Sequence, residues 1–259
     1  MDTKENLSVV QGKTFSDVVR FAVEPIKRKA ITGISFASGA PRLTIGAGHE
    51  CPNNWPVAVT LVASPKQINS ANTPPRYPSD YHKALFISGT EIEFNDVDPV
   101  DEGGRAWAAY TSGGFIQYHT PVDLTGYKSR MAIREKANDR LLLKCVTGGT
   151  SGSDRPEAAG TDGTVTWEET TLQSTKQWNP STVYVTNDVV DARALILLTE
   201  TSGITHDNVT KTIARVVSAT ETAGLSPKTY YYEHEVESST GVVTQLKAGK
   251  FLVEVEIAP

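Results

Sequence analysis

The glutamates between residues 233 and 256 are the side chains whose types and spacing most suggest chemistry. Glu233, Glu235 and Glu237 alternate along one run, and Glu254 and Glu256 alternate along a second. Alternate residues of a strand point to one face, so these carboxylates are expected to share a face of a sheet. Paired carboxylates at a suitable separation can hydrolyse glycosides, but nothing else in the sequence indicates a sugar cleft. The sequence therefore predicts no enzyme.

Like charges that lie close together on a sheet destabilise it unless something neutralises them. A basic surface on a neighbouring subunit would neutralise this acidic face, and so would solvent and salt. The five glutamates are therefore a candidate subunit interface, with a solvated face as the alternative.

The other residues of catalytic or ligand type do not form a recognisable site. None of the five histidines has a second ligand at the spacing common in metal sites, and we expect His234 to be a surface or edge residue. The glycine-rich run 149–153 contains a serine but is not followed by the helix of a hydrolase elbow. Residues 12–14 resemble the end of a phosphate-binding loop, yet Leu7 stands where that loop requires glycine. No catalytic, metal-binding or cofactor-binding residue is predicted.

Composition narrows the class of protein. Hydrophobic content of 39% and charged content of 21% are typical of a folded soluble chain. A net charge of −5 gives no reason to expect binding to nucleic acid or to an anionic membrane. No apolar run could span a bilayer, and residues 1–5 lack the apolar core of a signal peptide, which predicts folding in a cytoplasm. Cys51 and Cys145 are expected to be buried free thiols.

The elements that would position the glutamates are strands. Residues 230–237, 242–247 and 250–257, separated by turns at 238–241 and at Ala248-Gly249, predict a three-stranded meander with one buried face. Such a face requires a second layer, for which a hairpin of runs 128–135 and 140–146 is the candidate. Ser218 and Glu221 have the spacing of a capping box, so a short helix over 218–225 is predicted to cross between the two sheets of an immunoglobulin-like sandwich.

Two stretches differ from the rest of the sequence in composition, and each is predicted to be an insertion. Residues 24–30 are interpreted as a linker, and 31–120 contain short β-prone runs that predict a small barrel or sandwich, at 31–35, 42–45, 57–62, 85–87, 91–94 and 115–118. Residues 147–190 form a second small β insertion. The predicted fold is all-β: a discontinuous immunoglobulin-like β-sandwich of residues 6–30, 121–146 and 191–259, with an inserted small β domain over 31–120 and a second insertion over 147–190.

Three segments carry a recognisable order of short motifs: Gln11–Phe15, the run from Pro121 to Arg134, and the run from Gly241 to Phe251. Together they resemble a family of tailed-phage virion proteins, which includes upper baseplate proteins and proteins encoded beside tail fibres. In that family such segments build one small β-sandwich. The resemblance implies a virion adaptor in the tail, neck or baseplate, assembled in the bacterial host cytoplasm and binding tail and fibre proteins as a homo-oligomeric ring.

The insertions carry weaker resemblances. Residues 31–49 with 87–90 are similar to a small β-barrel module of phage structural proteins and ubiquitin-activating enzymes, where it is a scaffold. The run from Trp178 to Tyr184 is similar to the start of chitin-binding modules, although Leu195–Leu198 follows where those modules have further exposed aromatics. The alternative function is therefore a carbohydrate-binding receptor module in which Trp178 and Tyr184 stack on sugar rings. Exposure of the two rings would separate it from the adaptor. Capsid decoration is a third possibility that the sequence does not resolve.

Overall fold

Residues 4–101, 103–172, 174 and 176–256 are described by the computed structural model. They form a predominantly β protein with several sheets, as the sequence predicts. One short α-helix, α1 (Ala219–Ala223), and two single 3-10 turns complete the regular structure of this part. No helix within these ranges is long and apolar enough to cross a membrane.

The strands fall into four groups along the chain, with β9 alone between the second group and the third. The first two are β1 (Leu7–Val10) and β2 (Phe15–Arg20). Six strands of a barrel follow: β3 (Ala22–Ser35), β4 (Arg42–Ile45), β5 (Trp55–Val62), β6 (His82–Ser88), β7 (Glu91–Glu93) and β8 (Gly113–Pro121). After β9 (Lys128–Arg134) come seven short strands, which we call the second module: β10 (Leu142–Thr147), β11 (Gly149–Thr150), β12 (Gly160–Asp162), β13 (Val165–Glu169), β14 (Lys176–Gln177), β15 (Val183–Tyr184) and β16 (Val189–Asp191). The remaining strands are β17 (Ile196–Thr199), β18 (Ile204–Asp207), β19 (Thr212–Val217), β20 (Thr229–Glu237) and β21 (Val243–Glu254).

These strands belong to two compact units. One unit contains the residues up to Val19, Thr125–His206 and those from Ile213 onward. The other contains Arg20–Leu124 with Asp207–Thr212. The first unit therefore holds the second module and most of the strands outside the barrel, and the second unit holds the barrel.

Two sheets face each other in the first unit, and we call them the double-sheet domain. The larger has the order β1-β21-β20-β9-β17, and the smaller has the order β18-β19-β2. Phe15 of β2 packs edge-on against Phe251 of β21 with ring centroids 5.4 Å apart. The predicted alternation in β20 is confirmed, because Tyr230, Tyr232, His234 and Val236 are all buried.

Helix α1 connects the two sheets. The Ser218 side chain accepts a hydrogen bond from the Glu221 backbone N–H, and the Glu221 carboxylate accepts one from the Ser218 backbone N–H. This reciprocal pairing satisfies two donors that the first turn of a helix leaves open. The predicted capping box is confirmed, and so is the passage from β19 in the smaller sheet to β20 in the larger.

The predicted turn at Ala248-Gly249 is wrong. Both residues lie inside β21, which is continuous for 12 residues. The Glu5 N–H donates to the Ala248 carbonyl across 3.0 Å, and a Cβ on Gly249 would lie 1.8 Å from the Glu5 carbonyl oxygen. Glycine is therefore required here for close approach of a neighbouring backbone rather than for a turn.

We expect Gly249→Ala to lower the free energy of unfolding by about 1–3 kcal/mol, because the segment at Glu5 must shift to accept the methyl group. Urea unfolding followed by tryptophan fluorescence measures the change. Gly89→Ala is the matched control, since a Cβ at Gly89 meets nothing within 4 Å. Equal stability of the two variants would contradict the close-approach explanation.

The hairpin predicted over 128–146 does not form. Strand β9 pairs with β20 and β17 inside the larger sheet, whereas β10 pairs with β13 and β16 of the second module. The second layer is supplied instead by β2, β18 and β19. Both faces of β9 are buried, so its alternation could not reveal which strand would pair with it.

All six predicted strands of the first insertion are present, and they close a barrel in the order β3-β4-β7-β6-β5-β8. Its core includes the fully buried side chains of Trp55, Phe94 and Tyr118. The Trp55 indole N–H donates to the His119 carbonyl across 3.0 Å, which satisfies its polar atom inside an apolar core.

The linker predicted over 24–30 is wrong, because these residues lie within β3 and pair with β8. The pairing changes register between Val23 and Ile26, where Pro25 has no N–H to donate. The basic cluster is accommodated on the strand: Lys27 forms an ion pair with Glu50, and the Arg28 guanidinium lies 3.8 Å from the Phe115 ring centroid. The barrel therefore begins at Ala22.

The second module has its own small core. One sheet has the order β12-β13-β10-β16-β14, and β11 pairs with β15. Trp167, Trp178 and Tyr184 pack there with smaller apolar residues, including Cys145. The module is thus a folded β unit, and β10 belongs to it rather than to the double-sheet domain.

Candidate functional site

The predicted acidic row on β20 lies beside arginines of the adjacent strand β9. Arg130 Nε lies 3.0 Å from Glu235 Oε2, and Arg130 Nη1 lies 3.4 Å from Glu237 Oε2. Arg134 Nη1 lies 3.4 Å from Glu233 Oε2. Arg130 is directly opposite Glu235 in the antiparallel pairing, and Arg134 lies diagonally from Glu233, so opposite charges stand side by side on one face.

Two residues at the margins of the second module complete this cluster. Arg140 Nη1 lies 3.0 Å from Glu235 Oε1, and Arg134 Nε donates to Asp191 Oδ2 across 2.9 Å. The Asp191 side chain is 0% exposed and that of Arg134 is 7% exposed. We call the cluster the arginine–carboxylate network; its members are Arg130, Arg134, Arg140, Asp191, Glu233, Glu235 and Glu237.

The network changes the interpretation of the acidic face. Three arginines offset most of the charge of its four carboxylates, so β20 does not present an uncompensated row of carboxylates to a neighbouring subunit or to solvent. Glu254 and Glu256 do not belong to it. Glu254 pairs with Val10 near the opposite end of the β20–β21 pair from Glu237, and Glu256 forms an exposed ion pair with Lys13 at 2.7 Å. Glu254 shares a face of the sheet with the acidic row of β20, as predicted, but strand register separates it from that row along the strands.

His234, expected at a surface or an edge, is 0% exposed and lies on the inner face of β20. Neither ring nitrogen has a hydrogen-bond partner among the described residues. Burial lowers its pKa to about 3, and the charges of Arg215 and His206 contribute to the same shift. The ring is therefore neutral at physiological pH.

Arg215 is a second buried polar residue of this interior that the sequence analysis did not single out. Its side chain is 0% exposed, and Nη2 forms an ion pair with Asp17 and lies 3.7 Å from Glu5 Oε2. Its guanidinium is 5.5 Å from the Tyr232 ring centroid. The inner face of β20 therefore contacts a charge as well as apolar side chains, and no sequence pattern near Arg215 marks it as internal.

Ser129, His206 and Glu200 form a contact that has the residue types of a hydrolase. Ser129 Oγ is 2.7 Å from His206 Nε2, but the Glu200 carboxylate is 3.8 Å from the same ring nitrogen. In a catalytic triad the acid holds the opposite nitrogen and so orients the base. Ser129 is also only 2% exposed. This geometry does not match nucleophilic catalysis.

The two cysteines are free and buried, as predicted. Burial raises the pKa of the Cys51 thiol to about 12. The thiolate is the nucleophilic form, so burial makes this residue a poor nucleophile at neutral pH. Within residues 4–101, 103–172, 174 and 176–256, no group of three or more histidine, cysteine or acidic side chains is placed to hold a metal ion.

Trp178 and Tyr184, the candidate sugar platform, are 3% and 2% exposed. The Trp178 indole N–H donates to Asp162 Oδ2 across 3.1 Å, and the Tyr184 hydroxyl donates to the Gln177 carbonyl across 3.0 Å. Tyr184 also packs edge-on against Trp167. Rings held in this way anchor a core and present no face to a sugar, so the structure does not support stacking by this pair.

Two large clefts open on the first unit. One, of about 580 Å³, lies near Lys128, Glu200 and Val243. The other, of about 530 Å³, lies across β9, β20 and β21 and is lined by Arg134, Tyr231, Glu233 and three lysines. No protein-family model matches the chain, and no curated protein matches it.

Proposed function

We propose that this chain is a structural component of a tailed-phage virion, an adaptor that joins tail, neck or baseplate subunits and fibres through protein–protein contacts. In this proposal the double-sheet domain is an immunoglobulin-like sandwich, with helix α1 as the crossing between its two sheets. The barrel and the second module are scaffold insertions into that sandwich. Several copies would form a symmetric ring, with each copy making the same contacts.

The observation that carries the proposal is that the three segments of the resemblance meet in one domain. Phe15 of the first segment packs on Phe251 of the third. In the second segment, Arg134 lies 3.4 Å from Glu233 of β20, the strand that pairs with β21 of the third segment. The first and third segments thus contact each other directly, and the second contacts the strand that pairs with the third, which supports a common fold with the virion family.

The surface also supports protein–protein contact. Val18 of β2 and Val216 of β19 are 53% and 38% exposed, on adjacent strands of the smaller sheet. Exposed β-branched residues on a sheet face are suited to burial against another subunit. The alternative of a carbohydrate-binding module loses its support from Trp178 and Tyr184, because both rings are buried.

Cryo-electron microscopy of the virion that carries this chain tests the proposal. We expect repeated density for the double-sheet domain in a ring at the neck or baseplate, with fibres attached. Density for the chain on the capsid surface would instead indicate that it decorates the capsid and is not an adaptor of the tail. Absence of the chain from purified virions, checked by mass spectrometry, would overturn the structural role itself.

A further inference from the structure

Three small residues line the cleft across β9, β20 and β21. Ala248 and Gly249 of β21 and Ala137 of the loop after β9 line it, and together they leave a volume of about 530 Å³. Tyr231 also lines the cleft, and in the sheet it lies between Lys250, its partner on one side, and Arg134, its partner on the other. The cleft is therefore lined by small residues of β21 and of the loop after β9, together with larger side chains of the three strands.

The walls of this cleft are positively charged. Lys4, Lys136, Lys250 and Arg134 line it, against a single carboxylate, Glu233. This local excess of positive charge lies on a chain whose net charge is −5. A cleft whose sign opposes that of the whole protein attracts an anionic group.

The four cations are not equivalent. Arg134 is held by Asp191 and Glu233, so its donors are engaged inside the protein. Lys136 and Lys250 are exposed, and neither side chain has an ion-pair partner among the described residues. These two ammonium groups are available to a ligand.

The remaining lining groups fit a sugar better than a bare anion. Asn138 and Gln245 bring amides that can donate and accept, and Glu233 brings an acceptor for hydroxyl groups. The Tyr231 ring is half-buried, so one part of it packs on the protein and another borders the cleft. An aromatic ring beside amides and a carboxylate is the arrangement that recognises a sugar ring with several hydroxyls.

We infer that this cleft binds a saccharide that carries an oxyanion, either a carboxylate or a phosphate group. Lys136 and Lys250 contact the oxyanion, Tyr231 packs on the ring, and Asn138 and Gln245 contact hydroxyls. The inference does not depend on the virion adaptor role, because it concerns binding by the isolated chain. It places sugar recognition on the double-sheet domain rather than on the second module.

Titration of the full 259-residue chain, followed by NMR amide shifts, tests this inference. The probes are glucuronate, glucose 6-phosphate, glucose and acetate, each at low salt. Glucose is the neutral match of the charged sugars, and acetate is the carboxylate without the sugar. We expect glucuronate or glucose 6-phosphate to bind about fivefold more tightly than glucose and acetate, with shifts at residues 136–138, 231 and 250. The ratio between the two charged sugars distinguishes a carboxylate ligand from a phosphate ligand.

The lysines provide matched variants. Lys136→Gln and Lys250→Gln are each expected to weaken binding of the charged sugar about threefold, and the double variant about tenfold. Lys66→Gln, an exposed lysine of the barrel, is the control and is expected to bind like the wild type. Because the substituted side chains are exposed, all four variants should fold. A rise in salt should also weaken binding, since exposed charges are screened.

Three results would overturn the inference. In the first, none of the probes shifts the cleft amides even at high concentration. In the second, acetate binds as tightly as glucuronate, which leaves an anion site without sugar recognition. In the third, the double lysine variant binds as the wild type does, which places the ligand elsewhere. None of these results bears on whether the chain is found in a virion.

Discussion

Asp191→Asn is expected to lower the free energy of unfolding by about 3 kcal/mol, because it leaves a buried guanidinium without its main counter-charge. Asp191 is 0% exposed and accepts from Arg134 Nε across 2.9 Å. Glu233 cannot replace it, since its side chain is partly exposed and lies 3.4 Å from Arg134 Nη1. The new amide oxygen can still accept from the Arg193 N–H, as Asp191 Oδ1 does across 3.0 Å, so the substitution removes charge rather than shape. Urea unfolding of both proteins measures the difference.

Two further variants show whether the uncompensated charge is the cause. Arg134→Met combined with Asp191→Asn removes the buried cation as well and should recover part of the lost stability. Glu157→Gln removes the carboxylate of an exposed ion pair with Arg193 and should leave the unfolding midpoint unchanged. A double variant that is less stable than Asp191→Asn alone would contradict this explanation. The loss of stability would then come from lost contacts rather than from an uncompensated buried charge.

Acid should destabilise the protein at a pH where most carboxylates are still ionised, because His234 takes up its proton only when the chain unfolds. Its pKa is about 3 in the folded state, against about 6.5 for a histidine in an unfolded chain. A base whose pKa is depressed by folding contributes its full stability above the unfolded value and loses it as the pH falls toward the folded value. The expected loss for this one group is about 2 kcal/mol between pH 7 and pH 5. His82 and His206 have pKa values lowered by burial and add to the same trend.

His234→Leu isolates the contribution of this residue. Leucine has a similar volume and no titrating group, so the variant should match or exceed wild-type stability at pH 7, where the neutral ring lacks hydrogen-bond partners among the described residues. The stability difference between variant and wild type should then grow by about 2 kcal/mol on going to pH 5. Unfolding by urea at both pH values checks this. Parallel pH dependence of the two proteins would mean that His234 does not carry the acid sensitivity.

Local patterns predicted the elements of this fold well. The alternation of Tyr230 to Val236 placed a strand with the correct buried face, and Ser218 with Glu221 placed the helix. Strand alternation and the capping box each depend on interactions between residues that are close in sequence, so a few neighbouring residues are enough to predict them. The six short runs of the barrel were identified for the same reason, since turn residues bound each run.

The wrong predictions concern which remote segments pack against each other, because patterns of a few residues do not contain that information. The pair Ala248-Gly249 is typical of a turn in sequence, but Gly249 is needed because the backbone of Glu5, remote in sequence, leaves no room for a side chain. The glutamates of β20 looked unbalanced because the pairing of β9 with β20 was not foreseen, although the even spacing of Arg130 and Arg134 puts both on one face of their strand. Arg215 and His234 were missed as interior residues because charged and titratable side chains are seldom fully buried.

The parallel pairing of β1 with β21 sets an order of events for folding. Leu7 pairs with Phe251, so the larger sheet closes only after the chain has been made as far as β21. The barrel needs only residues between Ala22 and Pro121, and three of its six strand pairs join consecutive strands. Closing a long loop costs more chain entropy, and non-local contacts form slowly. During synthesis we therefore expect the barrel to fold first. Until β19 and β21 have been synthesised, β1 and β2 lack their pairing partners, and their apolar side chains stay exposed.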